Sequence, residues 1–238
     1  AVYGGLSAAL PLWMDEAFSL GTTSAGAITA IRRAILFELQ PPFYFILLGL
    51  WRQVSGSILF ARLLSAIAVG GALGLVPAFV RRYMPDTRPI WLILAIGSNP
   101  FAVYAATEIR LYGLGILLSI SLLILFYDAF VRDTVTRPLP RQVAYGAIAA
   151  VALYTQYFFG FLLLAQFVGA VAIRRRIRWR PYVLTIASLV VVAVPLFFIV
   201  RMHVANHTAA GARVLSLIGG GKHVIARLIE FVFPAWMP

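Results

Sequence analysis

The sequence predicts an all-α fold: a polytopic bundle of transmembrane helices, with interfacial helices in its first extracytoplasmic loop. Of its 238 residues, 62% are apolar and 12% charged, against roughly 25% charged in an ordinary soluble domain. The mean hydropathy of +0.92 agrees. The 20 basic residues fall in short clusters between apolar runs, a pattern of membrane topology rather than of a nucleic-acid-binding surface. The net charge of +12 therefore implies no nucleic-acid partner. There is no cysteine, which removes disulfide frameworks and thiolate metal sites.

Ala1 to Trp13 is apolar but shorter than the ~20 residues a span needs, and it lacks the charged start and cleavage site of a signal peptide. It reads as the end of a first span, so the chain is expected to be a fragment of one transmembrane domain. Residues 14–57 form the extracytoplasmic loop. Within it Ser24 is placed to cap an amphipathic helix through Ala27, Ile31, Ile35 and Leu36. Pro41-Pro42 then opens an interfacial helix from Phe43 to Trp51, with Tyr44 and Trp51 suited to the membrane boundary. Six spans are expected over 58–200: Ile58 to Val80, Pro89 to Thr107, Leu111 to Val131, Arg141 to Thr155, Tyr157 to Ile173 and Pro181 to Val200. Residues 201–238 read as a further extracytoplasmic loop and the start of a C-terminal part. No internal repeat of ~20–50 residues occurs.

Three basic connections alternate with these spans: Arg81, Arg82 and Arg88; Arg132, Arg137 and Arg141; and Arg174, Arg175, Arg176, Arg178 and Arg180. If every run crosses once, all three share a side, which the positive-inside rule assigns to the cytoplasm. Asp15-Glu16 and the Glu108 corner then face outward. Soluble activated nucleotides are not at hand there, so a reaction on that face needs a substrate carried across on a lipid.

Among only eight acidic residues, the adjacent pair Asp15-Glu16 beside an apolar run is the leading candidate for chemistry. A carboxylate at such a boundary is placed to take a proton from a hydroxyl. The plain structural alternative is a helix cap with a favourable first-turn charge. In Glu108-Ile109-Arg110-Leu111-Tyr112, Arg110 is suited to a phosphate, Tyr112 to hydrogen-bonding it and Glu108 to orienting the guanidinium; the alternative is an ion pair marking a helix boundary. Gln40, Pro42 and Tyr44 could line the same site or simply start an interfacial helix. Arg62 reads as a snorkelling side chain. His203 and His207 have metal-compatible spacing but no carboxylate in their stretch, so they read as loop histidines. Asn206-His207-Thr208 matches a glycosylation acceptor, and Gly219-Gly220-Gly221-Lys222 fails the phosphate-loop pattern at Ser216 and His223.

The order of these pieces resembles the polytopic GT-C glycosyltransferases, in the family-39-like branch related to protein mannosyltransferases and lipid A aminoarabinose transferase. The resemblance rests on Asp15-Glu16-Ala17, Gln40-Pro41-Pro42-Phe43-Tyr44 through Trp51, Ala61-Arg62-Leu63, Glu108-Ile109-Arg110-Leu111-Tyr112, and Leu153 to Gly160. It implies an inverting transfer from a polyprenyl-phosphate sugar donor to a lipid, glycan or protein acceptor on the outer face of a bacterial inner membrane. Asp15 would occupy the catalytic base position with Glu16 beside it. No metal ligands are assigned, and a divalent metal is the one cofactor left open. Two positions depart from the branch: Gln40 and Gln156 stand where members often carry His or Lys, and His. Glutamine keeps the hydrogen bonds but supplies no positive charge. The other readings are a transporter or lipid flippase, with charges lining a pathway, and a GT-C-like subunit that no longer catalyses.

Overall fold

The computed structural model describes residues 12–132 and 138–209. The expected span end at residues 1–11, Arg137, and Gly219-Gly220-Gly221-Lys222 lie outside the described residues, as do the side chains of His203, Asn206 and His207. All described regular structure is helical. The chain divides into two compact units, Ala1–Phe197 and Phe198–Pro238, the second described only where it continues the last helix.

The segment before the first long helix holds α1 (Met14–Thr22), α2 (Ala27–Arg33, extended by a π-helical turn Ala34–Glu38) and α3 (Phe43–Trp51). Ser24 does not cap α2: its hydroxyl donates to the Gly21 carbonyl. Gly26 takes the capping position instead, at a φ of 86° that favours glycine. At the end of the π turn Leu39 adopts a φ of 56°, uncommon for a residue with a side chain, and turns the chain into Gln40-Pro41-Pro42. Pro42 precedes α3 as expected, and α3 has the predicted bounds because its apolar run ends at Trp51, whose indole donates to the Phe60 carbonyl.

Among the described residues, three helices are long and apolar enough to cross a membrane: Ile58–Tyr83 (α4), Tyr112–Val131 (α7, Tyr112–Phe126, with its π-helical turn Tyr127–Val131) and Trp179–Met202 within α10 (Trp179–Ala209). The predicted span from Pro89 to Thr107 is instead two helices, α5 (Pro89–Gly97) and α6 (Pro100–Thr107), bent by 65°. The cause is local. Pro100 disfavours a helical Asn99, and the Asn99 side chain accepts the Phe101 N–H to start a new helix. Counted as one, this pair makes a fourth span. Two of the six expected spans are weaker. α9 (Phe159–Ala172) has 14 residues, about 21 Å, and α8 (Pro138–Thr155) opens on the polar turn around Arg141 and Gln142. The last helix continues past Val200 to Ala209, where a loop was expected.

Two ends emerge, separated by the 20 residues of α7, about 30 Å. At one, Arg82 forms a two-pronged ion pair with Asp128 at 2.6 and 2.8 Å, Tyr83 packs on Tyr127, and Arg178 donates to the Ala129 and Phe130 carbonyls that the π turn leaves over. Arg82 and Arg178 thus meet the same end of α7, and Arg132 and Arg141 act electrostatically on Asp128 there. Next to them, edge-on rings of Phe126, Phe130, Tyr145 and Tyr182 pack α7, α8 and α10 together. At the other end, Gly113 lets α7 touch the backbones of α4 and α6: an added Cβ would sit 2.8 Å from the Ser65 carbonyl and 2.9 Å from that of Ala105.

Candidate site at the Asp15 and Arg110 corner

The two adjacent acids of α1 point in different directions, because successive helix positions are ~100° apart. Glu16 turns inward and is 0% exposed; Arg62, in the first turns of α4, is 2% exposed. Arg62 is not snorkelling: its Nε and Nη2 donate to the two Glu16 oxygens at 2.9 and 2.7 Å. The same carboxylate accepts the Ile109 N–H at 3.0 Å and the Trp13 N–H at 3.1 Å. Burial pushes the Glu16 pKa up, but the hydrogen bonds from Arg62 and the two amides outweigh it and hold the group below its usual value. Glu16 thus ties α1 to α4 and to the loop carrying Arg110. With its oxygens taken by four donors, it is poorly placed to accept a substrate proton.

Asp15 faces out, its side chain 57% exposed, with Oδ2 3.4 Å from Arg110 Nη2. Arg110 is held more closely than its own helix requires: Nη1 donates to Ser19 Oγ at 3.3 Å and to Glu38 Oε2 at 3.4 Å. Glu38 also accepts from Thr22 at 3.0 Å. The carboxylates that orient Arg110 are therefore Asp15 and Glu38, not Glu108. Glu38 was not singled out by the sequence; its signal was weak, one of eight acids standing two residues before Gln40-Pro41-Pro42.

Glu108 lies beneath, 5% exposed. The Tyr104 hydroxyl lies near its carboxyl, and Oε2 has no partner among the described residues. Burial, with the charges of Glu16 and Asp15 added, pushes its pKa above the usual value despite Tyr104 and Arg110. Tyr44 is buried with its hydroxyl near Ser65, short of full hydrogen-bond geometry, and feels Arg110, Glu16 and Glu38; burial pushes its pKa well up. Gln40 stays half-buried at the end of the π turn, and Pro42 is the N-cap of α3.

Tyr112 joins this polar corner to an apolar groove. It stands two residues from Arg110, with its hydroxyl near the guanidinium, and its ring lines a groove of about 570 Å³ between α4, α5, α6, α7 and α9. Gln156 and Phe101 share that mouth, and the far wall reaches Phe79, Met84 and Leu123. Tyr112 to Leu123 spans about 16 Å of helix. Phe101 and Tyr104 flank the Tyr112 ring at 6.3 and 6.1 Å, continuing the groove wall toward Glu108. Asp15, Arg110, Tyr112, Glu108 and Tyr44 thus come together, and Gln156 stands at the groove mouth.

Among the described residues no three His, Asp or Glu side chains converge to hold a metal ion. Asp15 and Glu38 approach each other only through the guanidinium between them. These residues do not fit a divalent metal, and no step is assigned to one. No family model matches the chain, and neither a curated protein nor a solved structure matches it.

Proposed function

We propose that the chain is the membrane part of an inverting glycosyltransferase that takes a sugar from a polyprenyl-phosphate donor on the extracytoplasmic side. The reading is carried by one observation: a corner with one guanidinium and an exposed carboxylate opens directly, through Tyr112, into an apolar groove about 16 Å long. A lipid phosphate has that same division into an anionic head and an apolar tail. The lipid chain would lie along α7 with its phosphate at Arg110 and Tyr112.

Before a donor arrives, Arg110 is shared by Asp15 and Glu38 at 3.4 Å each, two negative charges against one positive. A phosphodiester can enter only by taking Arg110 from one of them. Asp15 is the exposed one and is freed. Its carboxylate then takes the proton of the acceptor's hydroxyl as the acceptor's own oxygen attacks the anomeric carbon. The sugar–phosphate bond breaks with its electrons going to the phosphate oxygen, where Arg110 steadies the charge. One displacement inverts the anomeric centre. Glu16 acts only by keeping α1, α4 and the Arg110 loop in register.

Asp15→Asn separates binding from chemistry. It should lower transfer by about 10²- to 10⁴-fold, the range for a lost general base. Donor binding should stay as tight or tighten, since a competitor for Arg110 is gone. Undiminished transfer by this variant would remove Asp15 as the base.

A transporter or flippase is kept in view by the 65° break between α5 and α6, since broken helices line transport sites. Against it, the break at Ser98-Asn99 carries no ionisable side chain, while the charged groups gather at the helix ends. Movement of a labelled polyprenyl phosphate across vesicles by purified protein, with no glycosidic bond formed, would favour transport.

A further inference from the structure

A second groove, of about 480 Å³, runs between α8 and α10 and is separate from the Asp15 corner. It starts at Leu139 and Pro181, the arginine-rich ends of the two helices, and finishes at Ala150 and Val192. Those eleven residues cover about 16 Å, close to half of the ~30 Å hydrocarbon core, so the groove is one leaflet deep. Its walls come close because Gly146 faces Thr185: a Cβ on Gly146 would lie 3.3 Å from the threonine methyl. The Thr185 and Ser188 hydroxyls donate to their own helix, to the Pro181 and Leu184 carbonyls, which leaves an apolar lining.

The dimensions select the occupant. Volume over length gives a cross-section of roughly 30 Å². A helix even ~10 Å across needs roughly 80 Å², so the space suits a flexible hydrocarbon chain. Charge selects its head. Residues 138–202 contain Arg141, Arg174, Arg175, Arg176, Arg178, Arg180 and Arg201 and no acidic residue. Arg174, Arg175, Arg176 and Arg180 are exposed. The turn Arg174–Arg176 is tied to the start of α10 by the Trp179 indole, which donates to the Arg174 carbonyl at 3.1 Å.

We propose that this groove seats an acyl chain of an anionic phospholipid from the adjoining leaflet, with Arg175, Arg176 and Arg180 holding its phosphate. Basic mouths between transmembrane helices favour anionic over zwitterionic heads, and a choline head would set its ammonium against arginines that have no acidic partner among the described residues. The lipid would brace α8 against α10 along the stretch where no other described helix lines the gap.

The test uses the full chain in nanodiscs of equal phosphatidylglycerol and phosphatidylcholine, with retained lipids read by native mass spectrometry. Phosphatidylglycerol should be retained about tenfold or more over phosphatidylcholine. The triple variant R175Q/R176Q/R180Q changes only exposed side chains and should bring the two lipids to parity without shifting the melting temperature. Ser188→Phe fills the groove and should lower retention of both lipids. Free glycerol 3-phosphate should displace neither. Equal retention by the unaltered protein, a preference that survives the triple variant, full retention by Ser188→Phe, or displacement by glycerol 3-phosphate would each overturn the proposal.

Discussion

Glutamine at position 16 would isolate what the buried ion pair contributes. The Glu16 carboxylate receives four donors, two from Arg62 and one each from the Trp13 and Ile109 amides, all within 3.1 Å, and both side chains are nearly sealed from solvent. Glutamine keeps one acceptor oxygen but presents an NH₂ to groups that are themselves donors, and it removes the carboxylate that both prongs of the buried guanidinium serve. Breaking one side of such a pair costs about 3–5 kcal/mol. At ~2–4 °C per kcal/mol for a chain of this size, Glu16→Gln should melt on the order of 10 °C below the unaltered protein. Asp15→Asn loosens only an exposed contact worth ~0–1 kcal/mol and should stay within about 3 °C of it. The double variant Glu16→Leu, Arg62→Met removes both charges and should recover part of the loss, because apolar residues can replace a buried pair at little net cost. Intrinsic fluorescence melts in detergent would read all four proteins. If Glu16→Gln melts no lower than Asp15→Asn, or the double variant melts no higher than Glu16→Gln, Glu16 is not the tie described above.

Gly113→Ala forces a methyl against two carbonyl oxygens that belong to packed helices and should destabilise by about 1–3 kcal/mol, visible in the same melts; no change would mean that α7 can move away freely. Arg110→Lys keeps the charge but not the fork that serves Asp15, Ser19 and Glu38 together. It should weaken binding of a polyprenyl phosphate by about tenfold or more, measured by titration in detergent. Glu108 holds its proton to higher pH in the folded chain than the usual 4.5, so its contribution is full below that pH and is lost as pH rises through the folded value. Melting temperature should therefore fall less on raising the pH in Glu108→Gln than in the unaltered protein. Glu16 has the opposite sign: its folded pKa is depressed, so its contribution is present above 4.5 and disappears only as pH falls below.

What could be read in the sequence was local. The apolar runs of α4, α7 and α10 declare themselves by length, and Pro41-Pro42 with the run to Trp51 fixes α3. The arginine clusters suggest a shared end, and Arg82 and Arg178 from two of them do reach the same end of α7. The bend at Asn99-Pro100 also had a local sign, a capping residue before proline, but uninterrupted hydropathy concealed it. The partners were not legible. Glu16 meets Arg62 across 46 residues and Arg110 meets Glu38 across 72, and no spacing rule along one helix links groups so far apart. Hence two adjacent acids that look equivalent divide into a buried tie and an exposed carboxylate. The ~100° step between successive positions of α1 decides which is which.

The most direct measurement incubates the full-length protein and its Asp15→Asn variant with a panel of polyprenyl-phosphate sugars and candidate acceptors, followed by product analysis. A glycosylated acceptor of inverted anomeric configuration, formed by the protein and not by the variant, is the predicted result. Retained configuration, or equal product from both proteins, would contradict a single displacement assisted by Asp15.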